Sequence, residues 1–113
     1  MWGAITIQQE GFDLAVPFPP APPLPTTSAG FLARFDERMA GFTAALAAAT
    51  DAQMMETWTM KNGDAVIMSM PRIAVLRGMV MNHMIHHRAQ MTVYLRLLNL
   101  AVPGLYGPSA DEM

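Results

Sequence analysis

Residues 82 to 90 read NHMIHHRAQ and contain all three histidines of a 113-residue chain that has no cysteine. Imidazole nitrogens are metal ligands, proton carriers or hydrogen-bonded core groups, and the spacing separates the three residues. His83 and His87, four apart, sit one above the other on a helix, so both rings can reach one cation at about 2.0 to 2.1 Å. His86 projects about 100° away from His87 and stands apart. The plain alternative is that His83 and His87 are core histidines hydrogen-bonded to backbone or to Gln90, three residues on. Two imidazoles on an apolar stripe are costly unless their nitrogens are satisfied, and a metal satisfies one on each ring.

The pattern from Arg72 to about Leu100 reads as one long helix despite Gly78, with Pro71 suited to its first turn. Stepping from His87 at about 100° per residue brings Ile73, Leu76, Val80, His83, Met91, Tyr94 and Leu98 within about 40° of it. That places His83 and His87 on the stripe facing the core. Upstream, WTMK from Trp58, then Asn62 and Gly63, then AVIMS from Ala65 read as two short strands around a tight turn of type I′. Asp51 is expected to cap a short turn of helix before them. A helix from Thr27 or Ser28 to about Ala49 carries Phe31, Phe35, Met39, Phe42 and Leu46 at three- and four-residue steps, the signature of one buried stripe. Residues 16–26 are a proline-rich loop that can be neither helix nor central strand, and residues 101–113 form a Pro- and Gly-rich tail.

Composition narrows the function classes. The length suits one small domain over 1–113, and 52% hydrophobic against 14% charged residues means a very full core or an apolar surface awaiting a partner. A net charge of −2 with scattered Lys and Arg offers no stripe for a phosphate backbone, so no nucleic-acid partner is expected. No segment reaches the roughly 18 apolar residues of a membrane span, and the start, MWGAITIQQEG, lacks the basic and apolar regions of a signal peptide. A cytoplasmic protein with no membrane partner is the expectation. The twelve methionines read as flexible core filler rather than as Cu(I) ligands.

The segment NHMIHHRAQMTVYLRLLNLAVPGLYGPSADE resembles the C-terminal signature of the DinB/YfiT-like family of small four-helix-bundle metalloenzymes, N-H-x-x-H-H-R-G-Q followed by Y-L-R-L-L-G. FDERMAGFTAALAAATD resembles the third bundle helix, and WTMKNGDAVIMSMPRIAVLR the hairpin leading into the fourth. Ala89 stands where the pattern has Gly. The resemblance implies His83 and His87 as metal ligands, the pair that helix geometry selects independently, with a third histidine on an earlier helix. That third position lies upstream of the stretch that MWGAITIQQEGFDLA resembles, so helix one and most of helix two are expected to be missing.

The fold expected is therefore mainly α: the second half of a DinB-like four-helix bundle, two long helices plus a short β-hairpin. No carboxylate offers itself as the third ligand. Asp36 and Glu37 face away from their helix's stripe, and Glu10, Asp13 and Glu56 sit near loops. The resemblance implies a metal-dependent enzyme of thiol S-transferase, isomerase or hydrolase type, impaired by an incomplete Ni²⁺ or Zn²⁺ site that binds weakly. Its partners would be a low-molecular-weight thiol and a second copy of the chain, whose apolar faces would cover one another. Gln90 and Arg88 are candidates for holding a ligand ring or an anionic substrate group, with pairing to a carboxylate the even alternative for Arg88. The competing class is a non-catalytic helical module for dimerisation or protein interaction.

Overall fold

The computed structural model describes residues 2–113. In chain order the elements are α1 (Trp2–Gln8), β1 (Gly11–Asp13), α2 (Ser28–Ala48), α3 (Asp51–Met55), β2 (Thr57–Asn62), β3 (Ala65–Pro71), α4 (Arg72–Val75), a π-helical stretch (Leu76–Met81) and α5 (Asn82–Leu97). They form two compact units, one running to Val80 and the other Met81–Met113.

In the first unit the hairpin lies where turn chemistry puts it, with β2 and β3 antiparallel and Trp58 opposite Met70. The two-residue loop is Gly63 and Asp64 rather than Asn62 and Gly63, because Asn62 pairs with Ala65. Gly63 takes a positive φ of 60° and Asp64 does not, so the turn is not the expected type I′, which needs positive φ at both central residues. A third strand departs from expectation. β1 pairs parallel to β2, Gly11 opposite Thr59, and makes a three-stranded mixed sheet in the order β1-β2-β3. Two long helices and a lone hairpin, the second half of a four-helix bundle, are therefore not what this chain forms. Gly11 permits the pairing, since a Cβ there would collide with the carbonyl oxygen of Thr59. Asp13 secures it: its carboxylate accepts from the amides of Gly63 at 3.0 Å and Ala15 at 2.9 Å and pairs with Lys61 at 3.5 Å. The Ala15 and Gly63 amides, in that order, and then Lys61 hold its carboxyl below the ordinary value of 3.8.

α1 packs against α2, so closely at Gly3 that a Cβ would meet the ring of Phe42. The core joins Ile7, Ala45, Met54 and Leu76, with Ala4, Phe42, Ala49 and Val80 packed on it. Trp58 is fully buried. The last carbonyls of a helix need donors from outside it. Here Gln53 Nε2 donates to Ile7 O at 3.2 Å, and Arg72 donates to Thr6 O at 2.9 Å and to Gln9 O. Arg72 is itself buried, with Glu56 beside its other nitrogen at 3.4 Å.

The Thr27 side chain accepts from the Gly30 amide and starts α2, as its position predicts. The cap of α3 is Thr50, whose side chain accepts from Gln53, and Asp51 is the first helical residue. Residues 17–25, within the proline-rich loop, hold no regular structure. The stripe expected to be buried on α2 is covered only in part: Ala45 is buried and Met39 and Phe42 half-buried, whereas Phe31, Phe35 and Leu46 are exposed.

The second unit is α5 and the tail. α5 ends in a Schellman motif, with Asn99 N donating to Arg96 O, Leu100 N donating to Leu95 O, and Asn99 left-handed at φ 55°. The tail then folds back. Asp111 accepts from Arg96 and from the Val102 amide at 2.7 and 2.8 Å, and Glu112 accepts from the amides of Gly104 and Ser109 at 2.8 and 3.0 Å.

Candidate metal-ligand pair on the last helix

His83, His86 and His87 all lie in the first turns of α5, and all three side chains are exposed. This corrects the wheel that put His83 and His87 on a core-facing stripe. Two physical causes account for it. Residues Leu76–Met81 are π-helical, and each i→i+5 turn takes about one residue more than an α turn, so a wheel run at a constant 100° from His87 is out of phase by about one residue on the far side of it. Val75 and Leu76 are accordingly buried while Ile73 is exposed. Beyond the π stretch, α5 has no buried residue at all.

The pairing itself is where four-residue spacing puts it. Nε2 of His83 and Nε2 of His87 are 2.7 Å apart, and their ring centroids 4.5 Å. His86 keeps its distance from His83, 6.5 Å between centroids, and lies edge-on to His87 at 5.2 Å. Gln90 completes the cluster: its Oε1 lies 2.8 Å from Nδ1 of His87. An amide oxygen only accepts, so Nδ1 of His87 donates to it. A tetrahedral ion with Zn–N bonds of about 2.0 to 2.1 Å wants its two nitrogens about 3.3 Å apart. Small rotations of two exposed rings supply that difference.

The structure brings no third donor to the pair: among the described residues no group of three or more His, Asp or Glu side chains could hold a metal. Of the carboxylates weighed from sequence, Asp13 is engaged on the hairpin turn and Glu56 on Arg72. The open cleft beside β1, lined by Glu10, Gly11, Phe12, Asp13, Thr59 and Lys61, holds no histidine.

Among the described residues Arg88 meets no carboxylate. Its Nη2 donates to the hydroxyl of Tyr106 at 3.4 Å, and its guanidinium stands 5.9 Å from that ring's centre. Tyr106 went unread in the sequence because nothing in a Pro- and Gly-rich tail signals which residue returns to the helix. The carboxylates that hold the tail are Asp111, kept below its ordinary value by Arg96 first and the Val102 amide second, and Glu112, lowered by the amides of Gly104 and Ser109.

The family model described as DinB family matches residues 25–113, which include the hairpin, the histidine cluster and the tail. The chain belongs to the DinB family. Among curated proteins, this DinB-family chain is similar to the uncharacterized protein YrdA of Bacillus subtilis (strain 168), 46% identical over 43 residues. That stretch is 38% of this chain and 25% of YrdA, so the chain spans about a quarter of the length of the curated relative it matches. No solved structure matches this member of the DinB family. Among its described residues no helix is long and apolar enough to cross a membrane.

Proposed function

We propose that this DinB-family chain contributes to a metal-dependent enzyme of thiol-transferase, isomerase or hydrolase type, in which His83 and His87 are two of the ligands of a Ni²⁺ or Zn²⁺ ion. The observation that carries the reading is the convergence of the two Nε2 atoms at 2.7 Å on an exposed helix face. The donor set suits such an ion in kind, since neutral imidazole is a good ligand for Zn²⁺ and Ni²⁺. When bound, the ion would supply Lewis acidity toward a thiol or a water. Arg88 and Tyr106, on the same unit, offer a cation and a hydroxyl for an anionic group of the substrate.

The reading also fixes what the described chain does poorly. Two protein ligands leave affinity weak and the geometry of the open positions undefined, so a third donor comes from a second copy or from another segment. Titration of the protein with Zn²⁺ tests the assignment. Weak uptake is expected, abolished by His83→Ala and by His87→Ala and untouched by His86→Ala. Equal loss in all three variants, or none in any, would defeat it.

A second reading has its own observation. Phe31, Leu32 and Phe35 lie exposed on α2, which suits a non-catalytic module docking through an apolar face. Metal uptake dependent on the histidine pair separates the two, because the module needs none.

A further inference from the structure

We infer that Gln90 is a positioning residue that sets the tautomer of His87, and through it which of the two histidines holds Nε2 ready for a cation. The metal half of the inference rests on the reading above; the tautomer half does not. Nδ1 of His87 lies 2.8 Å from Oε1 of Gln90, one helical turn further on. That oxygen has lone pairs and no hydrogen, so Nδ1 carries a hydrogen, and in the neutral ring Nε2 is left as an acceptor.

With both rings neutral, the second contact has only one sense. Nε2 of His87 is 2.7 Å from Nε2 of His83, and two lone pairs cannot face each other at that distance. His83 must donate, with its proton on Nε2 and its Nδ1 bare. The two rings, alike in sequence, thus differ in chemistry: His87 is already in the form that ligates through Nε2, whereas His83 has to pass its proton to Nδ1 before it can. His87 would offer Nε2 to a cation in the tautomer it already holds, whereas His83 would offer Nε2 only in its other tautomer. Histidine ligands generally donate their second ring nitrogen's hydrogen to an oxygen that orients the ring and raises its basicity, and Gln90 does this for His87. Gln90 is exposed on α5 and packs into no core, so replacing it perturbs the contact and not the fold.

The test uses the full chain labelled with ¹⁵N, in which long-range proton–nitrogen correlations report which ring nitrogen of each histidine is protonated, with His86→Ala to assign the signals. In the metal-free protein His87 is expected as the Nδ1–H form and His83 as the Nε2–H form. Added Zn²⁺ should leave His87 unchanged and convert His83 to the Nδ1–H form. Gln90→Leu should release His87 from the Nδ1–H form and weaken Zn²⁺ binding by about 10- to 100-fold, while Gln90→Glu, which keeps an accepting oxygen, should restore both. An Nε2–H form of His87 in the parent protein, or a Gln90→Leu variant with unchanged tautomer and unchanged affinity, would overturn the inference. If the parent protein takes up no Zn²⁺ under any condition, the metal reading fails by itself, and the tautomers still decide the role of Gln90.

Discussion

Arg72 donates to the carbonyl oxygen of Thr6 over 2.9 Å, a buried hydrogen bond that spans 66 residues of chain. It ties the C-terminal end of α1 to the point where β3 becomes α4, and the same side chain reaches Gln9 O and Glu56. Removing it would leave buried carbonyl oxygens without donors, at about 1 to 3 kcal/mol for each group left unsatisfied. Arg72→Met, which keeps the apolar stem, should therefore lower stability by about 3 kcal/mol in urea denaturation. Arg72→Lys should recover only part of this, since one ammonium cannot take the place of a forked guanidinium. A loss under about 1 kcal/mol in Arg72→Met would show that water replaces the guanidinium at no great cost.

The tail should release in acid, in a definite direction. Asp111 and Glu112 have folded-state carboxyls lowered below their ordinary values of 3.8 and 4.5 by the groups that donate to them. A lowered folded pKa gives stability that is complete above the unfolded value and lost as pH falls through the folded one. The amide resonances of Val102 and Gly104, which bond to these two carboxylates, should therefore titrate with midpoints below 3.8 and 4.5, respectively. Asp111→Asn should abolish the response at Val102 and preserve it at Gly104. Midpoints at or above the ordinary values would mean that the carboxylates do not hold the tail.

How much of this was legible in the sequence follows the range of the interaction involved. The hairpin, the Thr27 cap of α2 and the histidine pair depend on neighbours a few residues apart, and turn chemistry, capping and four-residue spacing encode those directly. β1 was missed because three residues, Gly-Phe-Asp, carry no alternation, and their pairing depends on a glycine admitting a carbonyl from residue 59. The π-helical stretch was invisible because Gly78 only weakens a helical pattern and does not announce a change of pitch. The exposure of His83 and His87 was equally illegible, because α5 buries none of its residues whatever the phase in which it leaves the π stretch. Arg72 reads as a surface cation at the start of a helix, and only the tertiary approach of α1 makes it a buried cap.

Asn99 offers a local test of how α5 ends. It occupies the left-handed position of the Schellman motif at φ 55°, where the resembling signature Y-L-R-L-L-G has glycine. A side chain in that conformation costs about 1 to 2 kcal/mol for most residues and less for Asn. Asn99→Gly should leave stability unchanged or raise it by up to about 1 kcal/mol, and Asn99→Val should lower it by about 1 to 2 kcal/mol. Helical circular dichroism during thermal melting gives the reading. A neutral Val substitution would mean that the tail, rather than the cap, fixes the end of the helix.

Association is the last expectation, and it turns on apolar side chains that the single chain leaves uncovered. Phe31, Leu32 and Phe35 on α2 are 52%, 63% and 56% exposed, and Met91, Tyr94 and Leu97 on α5, with Leu98 just past its end, are 62% or more. Fully burying such a side chain contributes roughly 1.5 to 3 kcal/mol, so finishing the burial of a half-covered one contributes about 1 kcal/mol. Two copies covering these faces on each other would gain an amount of the same order as the roughly 4 to 15 kcal/mol that association costs in lost freedom. That near balance argues for a reversible homodimer rather than a permanent one, and a second copy would bring a second His83/His87 pair. Light scattering coupled to gel filtration over a dilution series should show dimer giving way to monomer, with a melting temperature that rises with concentration. Phe35→Asp should shift the balance to monomer without lowering the monomer's own melting temperature. A monomer at every concentration, melting cooperatively at one temperature, would rule the dimer out.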